Sequence, residues 1–218
     1  MYIIGLIDDE ESQLRMIRRT IKTNAKSDEQ YDFKSYLVSD HANDFVTDVF
    51  EEVIGDIKEL KLSSLIVDYK IIVKTSKIKG TDIFKRIKEE VPKFPIIILT
   101  EVVEESTEPE FIDADKVYKK KDFYKIESDY SKEKVFNIFD SMRKYIDQRD
   151  KLQLTIDDLK QKLTEGSLGR EAISSILALE SQLDDFVPTE QSQIDKVFDE
   201  DKAKGIVALI EKANTLLG

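Results

Sequence analysis

The stretch Leu65-Ile66-Val67-Asp68-Tyr69 decides the fold, because it is a continuous aliphatic run that ends in a carboxylate. A run of this length without a polar interruption predicts a buried strand of a parallel sheet. An aspartate at the end of such a strand would lie at the carboxyl edge of the sheet, where open α/β folds bind their ligands. We therefore expect function near Asp68.

Three other strand-like runs also end in polar side chains. Because the carboxyl ends of parallel strands meet at one edge, these side chains are expected to gather around Asp68. Together they would bring carboxylates, a hydroxyl and an amine to one place. The runs and the residues that follow them are 3–7 with Asp8 and Asp9, 96–99 with Thr100, and 117–118 with Lys119, Lys120 and Lys121.

Between these runs, apolar residues recur at helical spacing, so strand and helix alternate five times along the chain. This alternation predicts a five-stranded parallel sheet with helices on both faces. A Lys-rich loop is expected at 70–79, and a poor helix or loop at 101–113. The expected strands are 3–8, 31–38, 62–68, 95–100 and 116–119, and the expected helices are 10–25, 43–60 and 80–90.

Past residue 131 the pattern becomes entirely helical. Apolar side chains follow spacings of three and four, which is a heptad seam with one charged member, Arg149. The seam predicts either a dimerising coiled coil or the core face of a local helical bundle. Two further helices are expected at 169–186 and 190–217, separated by Pro188. The seam consists of Val135, Ile138, Met142, Tyr145, Arg149, Leu152, Ile156, Leu159 and Leu163.

Composition narrows the class of protein. The 218 residues are 40% hydrophobic and 36% charged, which is typical of a globular chain. The net charge of −11 argues against broad binding to a nucleic-acid backbone. The absence of cysteine excludes disulfides and thiolate chemistry. With neither a leader-like start nor an apolar stretch of roughly 20 residues, we expect a cytoplasmic protein without a membrane partner.

The polar groups at the predicted edge favour phosphoryl chemistry. Asp8, Asp9 and Asp68 would repel one another unless a cation neutralised them, and three carboxylates form an oxygen-rich site suited to Mg²⁺. With the metal bound, Asp68 could act as a nucleophile on an activated phosphoryl group. Thr100 and a lysine after the fifth strand would then contact the new phosphoryl oxygens.

Five short motifs occur along the first part of the chain. Their order and their spacing resemble those of the receiver domain of two-component response regulators, over roughly residues 1–128. The motifs are Leu6-Ile7-Asp8-Asp9-Glu10, Leu65-Ile66-Val67-Asp68, Gly80 at the start of a helix, Pro95-Ile96-Ile97-Ile98-Leu99-Thr100, and Ala114-Asp115-Lys116-Val117-Tyr118-Lys119-Lys120.

The resemblance implies a five-stranded flavodoxin-like sheet and a role for each residue of the edge. Asp68 would be the phosphoacceptor, with Asp8 and Asp9 completing the Mg²⁺ site. Thr100 would be the switch hydroxyl and Lys120 the conserved lysine. The partner supplying the phosphoryl group would be a histidine kinase or a phosphotransfer protein.

The chain departs from the family pattern in three places. The glycine after the phosphoacceptor is Gly80, twelve residues on, where about eight are usual. Glu101 follows the switch threonine where a small residue is usual, and is expected to obstruct or repel an incoming phosphoryl group. Three lysines run together where proline usually follows the lysine. Lys121 is therefore an alternative to Lys120, and would make Tyr118 the switch aromatic.

The function predicted is that of a response regulator, with no enzyme activity beyond its own phosphorylation and dephosphorylation. We expect a receiver domain at 1–128, a long linker or coiled-coil-like helix at 129–166, and a helical output or dimerisation region at 167–218. The output partner would be a protein or a second copy of the chain. A DNA-binding regulator stays open if the terminal helices dimerise and present lysines, but it is the least favoured alternative, because past residue 130 the chain has 13 basic and 17 acidic residues.

Three other interpretations stay open. The fold could serve as a phosphorylation-independent pseudo-receiver scaffold. A Mg²⁺-dependent phosphatase with Asp68 as nucleophile usually has a second aspartate two residues later, where this chain has Lys70. Asp8 and Asp9 could simply cap the first helix. His41 is expected on the surface.

Overall fold

The computed structural model describes most of the chain, and every structural statement below concerns that part. The described residues are 1–37, 45–73, 76–101, 116–167, 169 and 171–188. His41, the predicted helix at 190–217 and nearly all of the predicted loop or poor helix at 101–113 lie outside them.

The strands form a five-stranded parallel sheet and a separate two-stranded hairpin. The strands are β1 (Tyr2–Asp8), β2 (Tyr31–Leu37), β3 (Ser64–Asp68), β4 (Lys70–Val73), β5 (Ser76–Lys79), β6 (Ile96–Thr100) and β7 (Val117–Lys119). The order in the sheet is β2-β1-β3-β6-β7, and every neighbouring pair is parallel. The predicted parallel α/β architecture is therefore confirmed.

The helices connect the strands and then continue beyond the sheet. Three of them alternate with strands, a single turn follows β7, and two long helices complete the described chain. The helices are α1 (Glu11–Asn24), α2 (Phe45–Lys58), α3 (Gly80–Glu90), α4 (Lys120–Phe123), α5 (Asp129–Thr164) and α6 (Glu171–Asp184). Each predicted helix within the described residues is present, with its ends shifted by no more than two residues.

The sheet has one hydrophobic core on each face. Successive side chains of each strand point to opposite faces and so enter different cores. Ile66 packs with residues of α1 and α5, whereas Leu65 and Val67 pack with residues of α2 and α3. Ile97 and Ile98 divide between the same two cores. This is why the strands are continuous aliphatic runs in the sequence.

Helix α5 is about 54 Å long at the usual helical rise, which is longer than the sheet is tall. Its first half covers one face of the sheet, where Val135, Ile138 and Met142 are buried with residues of α1. Tyr145 lies further along and joins the core on the other face. The division of the chain at 128 and 166 stays a prediction, although the start of α5 completes the α/β core.

The second half of α5 packs against α6, which folds back along it. Ile156 of α5 and Ile176 of α6 are buried, and Lys160 pairs with Glu180 at 2.7 Å. The charged member of the seam, Arg149, binds the neighbouring Asp150 carboxylate through two nitrogens. In the described residues the seam is therefore the core face of a local helical assembly. A dimeric coiled coil is not confirmed.

The prediction of a loop at 70–79 is wrong. The segment forms an antiparallel hairpin in which Lys70 pairs with Lys79 and Ile71 pairs with Ile78. The β-branched run Ile71-Ile72-Val73 favours a strand here, and Ile71 is fully buried in the core beside α2 and α3. The hairpin begins two residues after Asp68, so it borders the carboxyl edge of the sheet.

Among the described helices, none has an apolar stretch long enough to cross a membrane.

Candidate functional site at the carboxyl edge of the sheet

Four side chains predicted to act together end neighbouring strands at one edge. Asp8, Asp68 and Thr100 are the last residues of β1, β3 and β6, and Lys120 follows β7 directly. They are almost completely buried, with exposed fractions of 1%, 6%, 1% and 5% respectively. The parallel sheet therefore brings together residues that are up to 112 positions apart in the chain.

Lys120 lies between two of the carboxylates. Its Nζ is 2.8 Å from Asp68 Oδ1 and 3.2 Å from Asp8 Oδ2. Lys119 and Lys121 are exposed instead. A buried ammonium is stable only when it is paired, and here it has two partners. Of the lysines considered from the sequence, the geometry therefore brings Lys120 into the site.

Asp9 joins Asp8 and Asp68 to form an oxygen-rich cluster. Each of the three offers a carboxylate oxygen, and these oxygens lie within 4.8 Å of one another. Three hard oxygen donors at this separation suit Mg²⁺, which usually takes a few carboxylates and keeps several waters. The donor set therefore fits the metal that the sequence predicts.

The charges at this site also favour a bound cation. Burial raises the pKa of Asp68 to about 6, and the neighbouring Asp8 charge adds to this, although Lys120 opposes it. Burial also raises the pKa of Asp8. For Lys120, burial lowers the pKa, but the charges and hydrogen bonds of Asp68 and Asp8 raise it overall. One ammonium thus does not offset three carboxylates, and a further cation would relieve the excess charge.

Asp8 and Asp9 do not cap α1. The capping position is Glu10, whose side chain makes no capping hydrogen bond. Asp8 Oδ1 instead accepts the backbone N–H of Glu10 at 2.9 Å, and Asp9 Oδ2 accepts the N–H of Ile72 at 3.1 Å. The helix-cap interpretation is therefore wrong, and Asp9 is in contact with the β4–β5 hairpin.

Gly80 closes the base of the hairpin against the end of β3. Its N–H donates to the carbonyl of Tyr69 at 2.8 Å. A Cβ at this position would lie only 2.1 Å from the carbonyl oxygen of Asp68. Any side chain here would therefore displace the backbone that carries Asp68, which explains why a glycine stands twelve residues after it.

Tyr124 is a member of this edge that the sequence did not suggest. Its hydroxyl is buried and has no hydrogen-bond partner. Burial raises the pKa of Tyr124, and the carboxylates of Asp8, Asp68, Glu101 and Glu10 raise it further. The only sequence signal is its position, four residues after Lys120, which is one helical turn.

Two other residues singled out from the sequence lie near this edge in different environments. Glu101 is exposed, and its charge is one of those that raise the pKa of the buried Tyr124 hydroxyl. Tyr118 is buried on β7, with Lys134 Nζ 5.2 Å from its ring centroid.

Comparisons with known proteins leave the family open. No family model matches this chain, and no curated protein does. Solved structures similar to it include two chains of the RcsB response regulator of Salmonella typhimurium, from work on conformational dynamism for DNA interaction. One is 14% identical, with 90% of this chain and 97% of that chain covered and a TM-score of 0.43. The other is 12% identical, with 90% and 98% covered and a TM-score of 0.40. At such scores the likeness carries no argument about function.

Proposed function

We propose that this chain is a response regulator that accepts a phosphoryl group on Asp68. The observation that carries the proposal is the cluster of Asp8, Asp9 and Asp68 oxygens within 4.8 Å, with Lys120 Nζ 2.8 Å from Asp68. A carboxylate beside a fixed ammonium and a cation-binding oxygen set has what phosphoryl transfer to an aspartate requires. The donor would be a histidine kinase or a phosphotransfer protein.

In the proposed step, an oxygen of the Asp68 carboxylate attacks phosphorus in line with the leaving group. The bond from phosphorus to the donor's imidazole nitrogen breaks, and that nitrogen keeps the electron pair and takes up a proton. Asp68 becomes an acyl phosphate. The Lys120 ammonium would stay beside it and offset the charge of the phosphoryl oxygens, and the hydroxyl of Thr100 would donate to one of them.

Mg²⁺ would be held by the carboxylates of Asp8, Asp9 and Asp68. When bound, it would neutralise these groups and withdraw charge from the phosphoryl oxygens. The strand ends would hold the carboxylates in position, and burial would keep competing water away from the acyl phosphate.

The conformational change caused by phosphorylation would be transmitted through α5 and the helical C-terminal region to a protein partner or to a second copy of the chain. Helix α5 begins nine residues after Lys120 and passes without interruption from the sheet to α6. A shift of the strand ends on phosphorylation could thus bias the packing of α5, which is the two-state element that such signalling needs. A cytoplasmic location, and the lack of enzyme activity toward other molecules, stay predictions.

A second candidate is a pseudo-receiver scaffold that is never phosphorylated. It is favoured by the hydrogen bond from the N–H of Ile72 to Asp9 Oδ2, because that bond engages one of the proposed metal ligands. Mg²⁺ would then have to compete with the hairpin backbone for Asp9.

Intact-mass spectrometry after incubation with Mg²⁺ and acetyl phosphate separates the two candidates. We expect one added phosphoryl group on the wild type and none on Asp68→Asn, with loss of the adduct at alkaline pH. Asp82→Asn is the matched control, since Asp82 is an exposed aspartate in the first turn of α3. It should take up the group like the wild type.

Mg²⁺ titration then assigns the remaining outcomes. A wild type that neither forms the adduct nor binds Mg²⁺ would leave the scaffold as the function. Mg²⁺ binding without an adduct would point to obstruction by Glu101, and Glu101→Ala should then restore the reaction.

A further inference from the structure

We infer that the hydroxyl of Tyr124 donates a hydrogen bond to the phosphoryl group carried by Asp68. The inference rests on the proposed function, and it adds a donor that neither the predicted site nor the resemblance includes. It follows from where the ring is anchored, from the unpaired state of the hydroxyl and from the charges that surround it.

The backbone places Tyr124 one turn after Lys120. Its N–H donates to the carbonyl of Lys120 at 2.9 Å, which closes the short helix α4. Residues four apart on a helical turn lie on the same side, so Tyr124 is directed to the side from which Lys120 reaches Asp8 and Asp68. Phe123, fully buried between them in sequence, holds the tyrosine ring at 6.1 Å between centroids.

The hydroxyl itself is not explained by packing. It is buried without any hydrogen-bond partner in the described part of the chain. An unsatisfied buried hydroxyl destabilises the folded state, and a phenylalanine would fill the same space without that cost. Buried polar groups in folded proteins nearly always have a partner, so the partner here is expected to arrive with a ligand.

The surrounding charges identify the kind of partner. The nearby carboxylates of Asp8, Asp68, Glu101 and Glu10 act with burial to keep the hydroxyl protonated. It is therefore available as a donor at neutral pH, and its partner must be an acceptor. A phosphoryl group on Asp68 would extend three acceptor oxygens outward from the end of β3, beyond the reach of the carboxylate alone.

Tyr124→Phe tests the inference because it removes only the hydroxyl and keeps the ring. Beryllofluoride with Mg²⁺ is the probe, since it mimics a phosphoryl group on a carboxylate. We expect about tenfold weaker beryllofluoride binding in the variant, the size of one hydrogen bond to an anionic acceptor. Binding of Mg²⁺ alone should be unchanged. The melting temperature of the ligand-free variant should be equal to or above that of the wild type.

Tyr130→Phe is the matched control. The hydroxyl of Tyr130 accepts the N–H of Lys119 at 3.0 Å, so its removal affects a structural contact close to the same edge. We expect this variant to melt at a lower temperature and to bind beryllofluoride like the wild type.

Several outcomes would overturn the inference. If Tyr124→Phe binds beryllofluoride as well as the wild type, the hydroxyl has no role in phosphoryl binding. If Mg²⁺ alone binds more weakly, the hydroxyl contacts a metal-bound water instead. A lower melting temperature without ligand would make its role structural. If the wild type binds Mg²⁺ but no beryllofluoride, and Glu101→Ala does not restore beryllofluoride binding, the proposed function is rejected, and the inference with it.

Discussion

The central sheet has a carboxyl edge, where its parallel strands end, and an amino edge, where they begin. Both edges are buried, but they are built from different kinds of side chain. At the carboxyl edge the buried groups are ionisable, and Asp8, Asp68 and Lys120 leave an excess of negative charge. At the amino edge they are aromatic, where Phe94, Tyr145 and Phe186 pack together. The second arrangement is complete within the chain, whereas the first leaves an excess of negative charge that a bound cation would offset.

The amino edge joins the sheet to the helical C-terminal region. The Phe94 and Tyr145 rings meet edge to face at 5.5 Å, and the Tyr145 and Phe186 rings stack at 5.7 Å. The hydroxyl of Tyr145 donates to the carbonyl of Phe186 at 2.6 Å, and the N–H of Lys93 donates to the carbonyl of Asp185 at 2.8 Å. These polar groups are paired while the rings bury apolar surface, so this joint stabilises the fold.

This contrast separates two kinds of mutational effect. Changes at the amino edge should lower the free energy of unfolding and leave the chemistry of Asp68 intact. Changes at the carboxyl edge should alter the chemistry more than their effect on stability would suggest, because the groups there are held in place at a cost to stability.

The largest effect on stability is expected for Phe94→Ala. Phe94 is fully buried, and truncation of such a ring costs about 3 to 5 kcal/mol because it leaves a cavity between the sheet and α5. Urea unfolding would measure the loss. Phe136→Ala is the control, since Phe136 on α5 is 47% exposed and should cost much less. Equal losses in the two variants would contradict the amino-edge joint.

Gly80→Ala should have the next largest effect and should act at the other edge. The new methyl group would overlap the carbonyl oxygen of Asp68, so the end of β3 must shift. We expect a loss of about 2 kcal/mol, as for an overpacked core, and at least a tenfold slower uptake of phosphoryl from acetyl phosphate.

Gly55→Ala is the control for that substitution, because a Cβ at Gly55 in α2 would meet no atom within 4 Å. It should stabilise the helix by about 0.5 to 1 kcal/mol and leave the uptake unchanged. If Gly80→Ala were as well tolerated, close packing of α3 against Asp68 would not be what requires glycine at this position.

The carboxyl edge could be predicted from the sequence because strand periodicity and strand direction are local signals. An aliphatic run that ends in Asp68, and others that end in Asp8 and Thr100, are enough to place these residues at one edge of a parallel sheet. Strand register favours Lys120 over Lys121 from the sequence, but Lys121 stays an alternative there, because a shift of one residue at the end of a three-residue strand changes which side chain turns inward. The structure brings Lys120 to Asp68 and leaves Lys121 exposed.

What could not be predicted depends on weaker or longer-range signals. The β4–β5 hairpin was missed because residues 74–75 are Lys and Thr, without the glycine or asparagine that marks a two-residue turn. The amino-edge joint brings Phe94 into one cluster with Phe186, 92 residues later in the chain. Periodicity shows that each helix has an apolar face, but not which faces meet.

Tyr145→Phe gives the smallest expected effect and tests the amino edge by its pH dependence. Loss of the hydrogen bond to Phe186 should cost about 1 kcal/mol at pH 7. Burial raises the pKa of Tyr145 to about 12, against the lowering effect of the Arg149 charge. The protonated phenol is therefore favoured in the folded state, and its contribution to stability is complete below pH 10 and is lost as the pH rises through 12.

The variant lacks this titration, so its deficit in unfolding free energy relative to wild type should shrink as the pH rises from 8 to 11. Urea unfolding of both proteins across that range would measure the difference. A deficit for Tyr145→Phe that stayed constant with pH would mean that the phenol ionises as readily in the folded chain as in the unfolded one. The Tyr145 hydroxyl would then be accessible to water, and the amino edge would not be the fully paired, buried region that distinguishes it from the carboxyl edge.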